Sequence, residues 1–193
     1  MKVKEISTVI SLLLVILIQL SGCGIRPTVF LNRDYNYQYL ERVAVVPFDN
    51  LSDNQGAGPR ATRIFISRLL AMESFDVVEP GEVTRAIEKF TAGGRFSEMT
   101  QEQILNIGRD LKVQGIFVGS VTELSELRSG SSTTNIVTLV VRLIETEKGT
   151  TIWSATHSAG KRGFWASLFG GGGKTQTEAI RACVDGVLMT LIK

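Results

Sequence analysis

Two hydrophobic periods alternate along residues 41–193, and that alternation limits the fold more than any single motif. Arg42 to Phe48 is a β-branched apolar run halted by Pro47 and a polar loop, the pattern of a buried strand. Ala61 to Met72 then places Phe65, Ile66, Leu69 and Met72 on one helical face and Arg60, Arg63 and Ser67 on the other. Phe75 to Val78 reads as a second short strand, and Pro80 suits a helix start. Val83, Ala86, Ile87 and Phe90 follow at helical spacing. Thr100 with Gln103 forms a capping-box pattern ahead of the stripe Ile104, Ile107, Gly108 and Leu111. Gly115 to Val118 is a third buried strand, continuing to about Leu127, turning over 128–133 and returning as Asn135 to Glu145. Val137, Leu139, Val141 and Leu143 mark one face of that return. Glu147 to Thr150 makes a hairpin turn into Thr151 to His157. A second capping box, Thr175 with Glu178, opens a last helix with the stripe Ile180, Val184, Val187, Leu188 and Leu191. The order is β, α, β, α, α, β, a three-strand meander, then α. The predicted fold class is α/β (α+β), a mixed sheet flanked by helices, since one sheet buries every stripe.

The amino terminus is of another kind. Lys2 and Lys4 precede Val9 to Leu20, an apolar run interrupted only by Ser11 and Gln19. That run is short for a membrane span, which needs about 20 apolar residues, and suits the hydrophobic region of a signal peptide. It ends in Leu20-Ser21-Gly22-Cys23, which resembles the lipobox of bacterial lipoproteins. The resemblance implies cleavage after Gly22, a diacylglyceryl group on the Cys23 thiol and an acyl chain on its new amine. These covalent lipids are the one attached group expected. Gly24, rather than Asp, follows the cysteine, which by the enterobacterial sorting rule implies the periplasmic face of the outer membrane. The expected organisation is a signal peptide over 1–22, a lipidated tether over 23–40 and one α/β domain over 41–193. Loss of Lys2, Lys4 and Glu5 lowers the net charge from +2 to +1, and no basic stripe argues for nucleic acid. With Cys23 lipidated, Cys183 has no disulfide partner and sits in an apolar helical pattern, as a small core residue does.

Candidate chemistry is sparse. The segment FGGGGKT invites a phosphate-loop reading, but Leu168 stands where the first glycine should be, so no nucleotide is expected. His157 is the single histidine; it excludes most histidine-based metal sites, and no local pattern pairs it with a nucleophile. The carboxylate pairs Glu123 with Glu126 and Glu145 with Glu147 fit solvated strand ends. No catalytic residue, metal or soluble cofactor is therefore expected. Two aromatic groups stand out instead. Phe164, Trp165, Leu168 and Phe169 would share one side of a helical turn beside Lys161 and Arg162, suited to a membrane interface, a partner pocket or a lid over the domain's own core. Tyr35, Tyr37 and Tyr39 alternate as a short edge strand does; they could serve a neighbouring protomer or pack on the domain's own surface.

From residue 41 to about 192 the chain resembles the curli assembly/transport (CsgG-like) lipoprotein family. That family is related to the TolB amino-terminal domain and to LpoB-type activators of peptidoglycan synthases. The residues that carry the resemblance are RVAVVPFDNLSDNQGAGPRATRIFISRLL, FDVVEP and GEVTRAIEKF, then IGRDLKVQGIFVGSVTEL and LIETEKGTTIWSATHS. The resemblance implies a non-enzymatic, membrane-anchored scaffold or subunit of a secretion or envelope assembly complex, working through protein partners or its own copies. A curli-type channel inserts two long hairpins per subunit, each strand needing about 9–11 alternating residues. Here residues 124–135 are polar and the 158–174 loop is short, so full membrane-spanning hairpins are not expected. The alternative is an LpoB-like activator of a peptidoglycan synthase. Against it, only about 17 residues separate Cys23 from the domain, a reach of roughly 60 Å. An envelope hydrolase would need a nucleophile beside His157.

Overall fold

The computed structural model describes residues 27–91, 99–129, 132–160 and 174–191. Among them are seven strands: β1 (Thr28–Leu31), β2 (Arg42–Val45), β3 (Asp49–Asn50), β4 (Asp76–Val77), β5 (Gly115–Ser129), β6 (Ser132–Glu145) and β7 (Thr151–Ala159). Four helices accompany them: α1 (Ala57–Ala71), α2 (Pro80–Thr91), α3 (Gln101–Leu111) and α4 (Gln176–Leu188). The strands form one mixed sheet in the order β1-β7-β6-β5-β2-β4, with β3 added to β5. β2 runs parallel to β4 and β5, while β5, β6, β7 and β1 are successively antiparallel.

Helices cover the sheet unequally, and the strand sequences follow from that. On one face α1 and α4 seal Phe65, Leu69, Ile180, Val184 and Val187 against Val43, Val45, Phe117, Leu139, Val141 and Trp153. On the other, α2 and α3 bring Val83, Ala86, Ile104, Ile107 and Leu111 onto Ala44, Val46, Ile116, Val118 and Ile144. β2 and the first half of β5 are thus buried on both faces and read as continuous apolar runs. Beyond them β6 buries one face only and alternates: Val137, Leu139 and Val141 are buried between the half-buried Ile136, Thr138 and Val140.

Both capping boxes form as the sequence predicts. Thr100 and Thr175 each accept the backbone N–H of the residue three positions on, whose side chain returns the bond. Helix α1 starts four residues earlier than the sequence predicts, at Ala57 rather than Ala61. Gly56 takes a left-handed φ of 82° there, and Gly58 passes so close to the chain that a Cβ would lie 2.4 Å from the Phe48 carbonyl oxygen. β2 stops at Val45 rather than Phe48. Pro47 cannot donate, and the buried Phe48 N–H is taken over by the Thr62 hydroxyl at 2.8 Å. The 124–135 connection is a longer hairpin than expected, since β5 runs to Ser129 and β6 starts at Ser132.

Thr28–Leu31 pairs antiparallel with β7 from Thr28↔Thr156 to Leu31↔Trp153, inside the stretch 23–40 where the sequence suggests tether. Four residues at a sheet edge are too few to show a period. Tyr37–Tyr39 form a 3-10 turn instead of an edge strand; Asn36 caps it by accepting the Gln38 N–H.

Candidate functional site

The three tyrosines take different positions because one of them ties the turn to the sheet. The Tyr37 hydroxyl donates to the Ile152 carbonyl at 2.5 Å, fastening the 3-10 turn beside the start of β7. Tyr35 meets it edge-on, ring centroids 5.2 Å apart at 78°. Tyr39 remains 70% exposed. Burial raises the pKa of both Tyr35 and Tyr37; for Tyr35 the charges of Glu145 and Glu147 raise it further. Both phenols therefore stay neutral hydrogen-bonding groups near neutral pH.

Tyr35 and Tyr39 form one wall of an open cleft of about 660 Å³, and Arg109, Lys112 and Glu147 also line it. The opposite wall is the end of α3. Lys112 caps that helix in the left-handed region at φ 53°, its N–H bonded to the Gly108 and Arg109 carbonyls. Gly108 lets α3 approach the β6–β7 turn closely: a Cβ there would lie 2.5 Å from the Thr146 Cβ. The Thr146 hydroxyl completes the join by donating to the Val113 carbonyl at 2.5 Å.

The β6–β7 turn is held from within by Glu145. Its carboxylate, 4% exposed, accepts the N–H groups of Glu147 at 2.8 Å, Lys148 at 3.0 Å and Thr150 at 3.0 Å, and the Thr150 hydroxyl at 2.8 Å. Burial alone would raise its pKa, but these donors outweigh it and hold the carboxyl below the usual carboxylate range. Glu145 is thus the internal brace of a turn rather than a solvated strand end, which is where the sequence placed it.

His157 and Cys183 both face the interior between β7 and α4. The His157 ring fits against Gly186, where a Cβ would lie 2.4 Å from its Cδ2. Its Nδ1 is buried and finds no hydrogen-bond partner among the described residues. Burial lowers its pKa, favouring the neutral ring. The Cys183 thiol donates to the His157 carbonyl at 3.0 Å, and burial pushes its pKa up to about 12. Glu123 accepts from the Ser125 and Thr138 hydroxyls on the exposed side of the hairpin, and Glu126 pairs with Arg128 at 2.7 Å.

Gly22, Cys23, Phe164, Trp165, Leu168 and Phe169 lie outside the described residues. Of the aromatic candidates, the structure brings Tyr35 and Tyr39 into one cleft and uses Tyr37 beneath them. Arg109 and Lys112 are missing from the sequence expectation because Arg109 lies on the polar side of an amphipathic helix and Lys112 is the left-handed residue that ends it.

No protein-family model and no curated protein matches the sequence. Solved structures do match. A PelC dodecamer from Paraburkholderia phytofirmans is 18% identical, with a TM-score of 0.58 over 87% of this chain and 98% of that one. Lipoprotein GNA1162 from Neisseria meningitidis is 17% identical, with a TM-score of 0.51 over 67% and 90%. The LpoB C-terminal domain from Escherichia coli is 16% identical, with a TM-score of 0.50 over 67% and 90%. The class these likenesses define is a fold: the mixed sheet and flanking helices shared by PelC, lipoprotein GNA1162 and LpoB. The LpoB side of the sequence resemblance therefore stands at the level of fold. The curli side gains no support from these neighbours.

Proposed function

We propose that this chain is a lipid-anchored envelope lipoprotein that acts without catalysis, as a protein-contact scaffold built from copies of itself. The anchor is Cys23, freed by cleavage after Gly22, and Gly24 directs it to the periplasmic face of the outer membrane. The observation that carries the reading is the cleft: Tyr35 and Tyr39 beside Arg109 and Lys112, on walls fixed by Thr146 and Glu145. Tyrosine and arginine on a rigid surface are the residue types that dominate protein–protein binding energy. Meanwhile Cys183 is buried in the core, and the half-buried His157 packs its ring against Gly186 with Nδ1 enclosed. Assembly from copies is supported by the PelC neighbour, a dodecamer whose fold this chain spans almost end to end.

The second reading is an LpoB-like activator of a peptidoglycan synthase, favoured by the match to 90% of the LpoB C-terminal domain. The two readings separate on the mass of the full lipidated protein extracted in mild detergent. A discrete multimer that Tyr39→Ala with Arg109→Ala dissolves supports the scaffold. A clean monomer removes it; stimulation of glycan polymerisation by a purified synthase, lost in the same double variant, then supports the activator.

A further inference from the structure

β1 is a short edge strand that presents apolar side chains to its surroundings. All four of its residues are exposed, with Val29 at 43%, Phe30 at 52% and Leu31 at 43%. Its register puts Val29 and Leu31 on the face of Ala155 and Trp153, and Phe30 on the opposite face with Ser154. Both faces of the edge are therefore apolar. Soluble proteins guard such edges with charge, proline or a covering element. Here the strand is short and Pro27 precedes it in the sequence, but no charge lies among Thr28 to Leu31 and its apolar side chains have no covering element among the described residues.

The place of the strand in the chain identifies what covers it. Thr28 is five residues after Cys23, so a fully extended link reaches at most about 18 Å. With acyl chains at Cys23 buried in hydrocarbon, part of that reach is used in crossing a headgroup layer about 5–8 Å thick. We propose that β1 lies on the lipid surface itself, Phe30 and its neighbours entering the headgroup region, so that the domain stands on this edge of its sheet. This rests on the lipid-anchor reading and adds to it an orientation. β1 and β4 are the two ends of the strand order, so β4 stands about five strand spacings away, roughly 24 Å. Val29, Phe30 and Leu31, with Arg33 two residues beyond, match the layered chemistry of an interface, hydrocarbon below and phosphate beside it.

The test uses full-length lipidated protein reconstituted into phosphatidylethanolamine–phosphatidylglycerol vesicles, with and without bromine on the acyl chains. A Phe30→Trp substitution in a Trp165→Phe background places an added indole on β1 at an exposed position, and the emission of the Trp165→Phe parent, which comes from the buried Trp153, is subtracted from it. Leu51→Trp, 62% exposed at the end of β3, is the comparison on the far side of the sheet. The expected result is loss of most Phe30→Trp emission in brominated vesicles and none for Leu51→Trp. Val29→Trp repeats the measurement should Phe30→Trp fold poorly. Mass spectrometry of each sample establishes the lipid on Cys23. A lipidated protein whose β1 indole is equally bright in both vesicles overturns the orientation and leaves the anchor intact. A blue-shifted but unquenched indole in a multimer overturns it in favour of a second copy seated on β1. A protein carrying no lipid on Cys23 overturns the anchor reading and this inference with it.

Discussion

Replacing Glu145 by glutamine tests the brace beneath the cleft, because it keeps the size of the side chain and removes half of its acceptors. One carboxylate oxygen serves Glu147 and Lys148; the other serves Lys148, Thr150 and the Thr150 hydroxyl. An amide has one oxygen, and its NH2 group must face donors on whichever side it takes. At least one buried N–H is orphaned, and the remaining bonds lose their charge assistance. An orphaned donor costs about 1–3 kcal/mol, so with the weakened bonds the loss is about 2–4 kcal/mol. At roughly 2–4 °C per kcal/mol for a domain of this size, the melting temperature falls by about 5–12 °C. The assay is thermal unfolding followed by circular dichroism at pH 7 and through the acid range. The sign of the pH effect is fixed by the lowered carboxyl pKa. Its stabilisation is fully present above the unfolded glutamate value of about 4.3 and is lost as pH falls through the folded value. The gap between parent and Glu145→Gln should therefore narrow below about pH 4.3. A fall of less than about 2 °C at pH 7, or a gap that stays constant into acid, would refute the reasoning.

Other consequences are open to the same melts or to simple chemistry. Thr62→Val leaves the Phe48 N–H without its 2.8 Å partner and should cost about 1–3 kcal/mol, whereas Thr62→Ser should stay close to the parent; equal losses in the two would discount the bond. Gly186→Ala drives a methyl into the His157 ring and should cost about 1–3 kcal/mol, part of which returns when His157→Ala is added. Because burial lowers the His157 pKa, its contribution is full above about pH 6.5 and declines as pH falls below that value; a His157→Phe variant that folds should lose this part of the acid sensitivity. With its pKa near 12, Cys183 carries a thiolate fraction roughly a thousandfold below that of a free cysteine. Maleimide should label it only when the chain unfolds, and rapid labelling of the native protein would contradict its burial.

What could be read from the sequence depended on how many neighbours each residue has. Val43 to Val46 and Ile116 to Val118 are enclosed on both faces of the sheet, so their apolar runs declare central strands whatever lies around them. The two capping boxes are local chemistry and were legible for that reason. β1 and β3 were not, since an edge strand of two to four residues is specified by the partner it meets, Trp153 to Thr156 or Ser120 and Val121, rather than by its own pattern. The cleft failed to show for a related reason. Tyr35 and Tyr39 were visible as aromatics, but Arg109 and Lys112 share their cleft through tertiary packing, the close approach of α3 to Thr146 that the missing Cβ at Gly108 permits.

The same reasoning separates the surfaces the molecule presents. A residue buried by its own fold has its sequence accounted for once the fold is known: Trp153 fills the sheet face under α4, donates to the Thr190 hydroxyl at 3.2 Å and needs no further explanation. Phe30 and Tyr39 are large, exposed and placed on opposite functions of the chain's amino-terminal segment, one on the open sheet edge, the other at the cleft mouth. Only four residues lie between Cys23 and β1, whereas Tyr39 is reached after the chain has crossed from the sheet edge to the end of α3. If the domain is anchored and rests on β1 as proposed, the cleft stays free to meet a protein while the strand meets lipid. Variants at the two places should accordingly part company: Phe30→Glu should weaken membrane contact and leave multimer mass unchanged, and Tyr39→Ala with Arg109→Ala should do the reverse. If either variant abolished both properties while still folded, the two surfaces would be one.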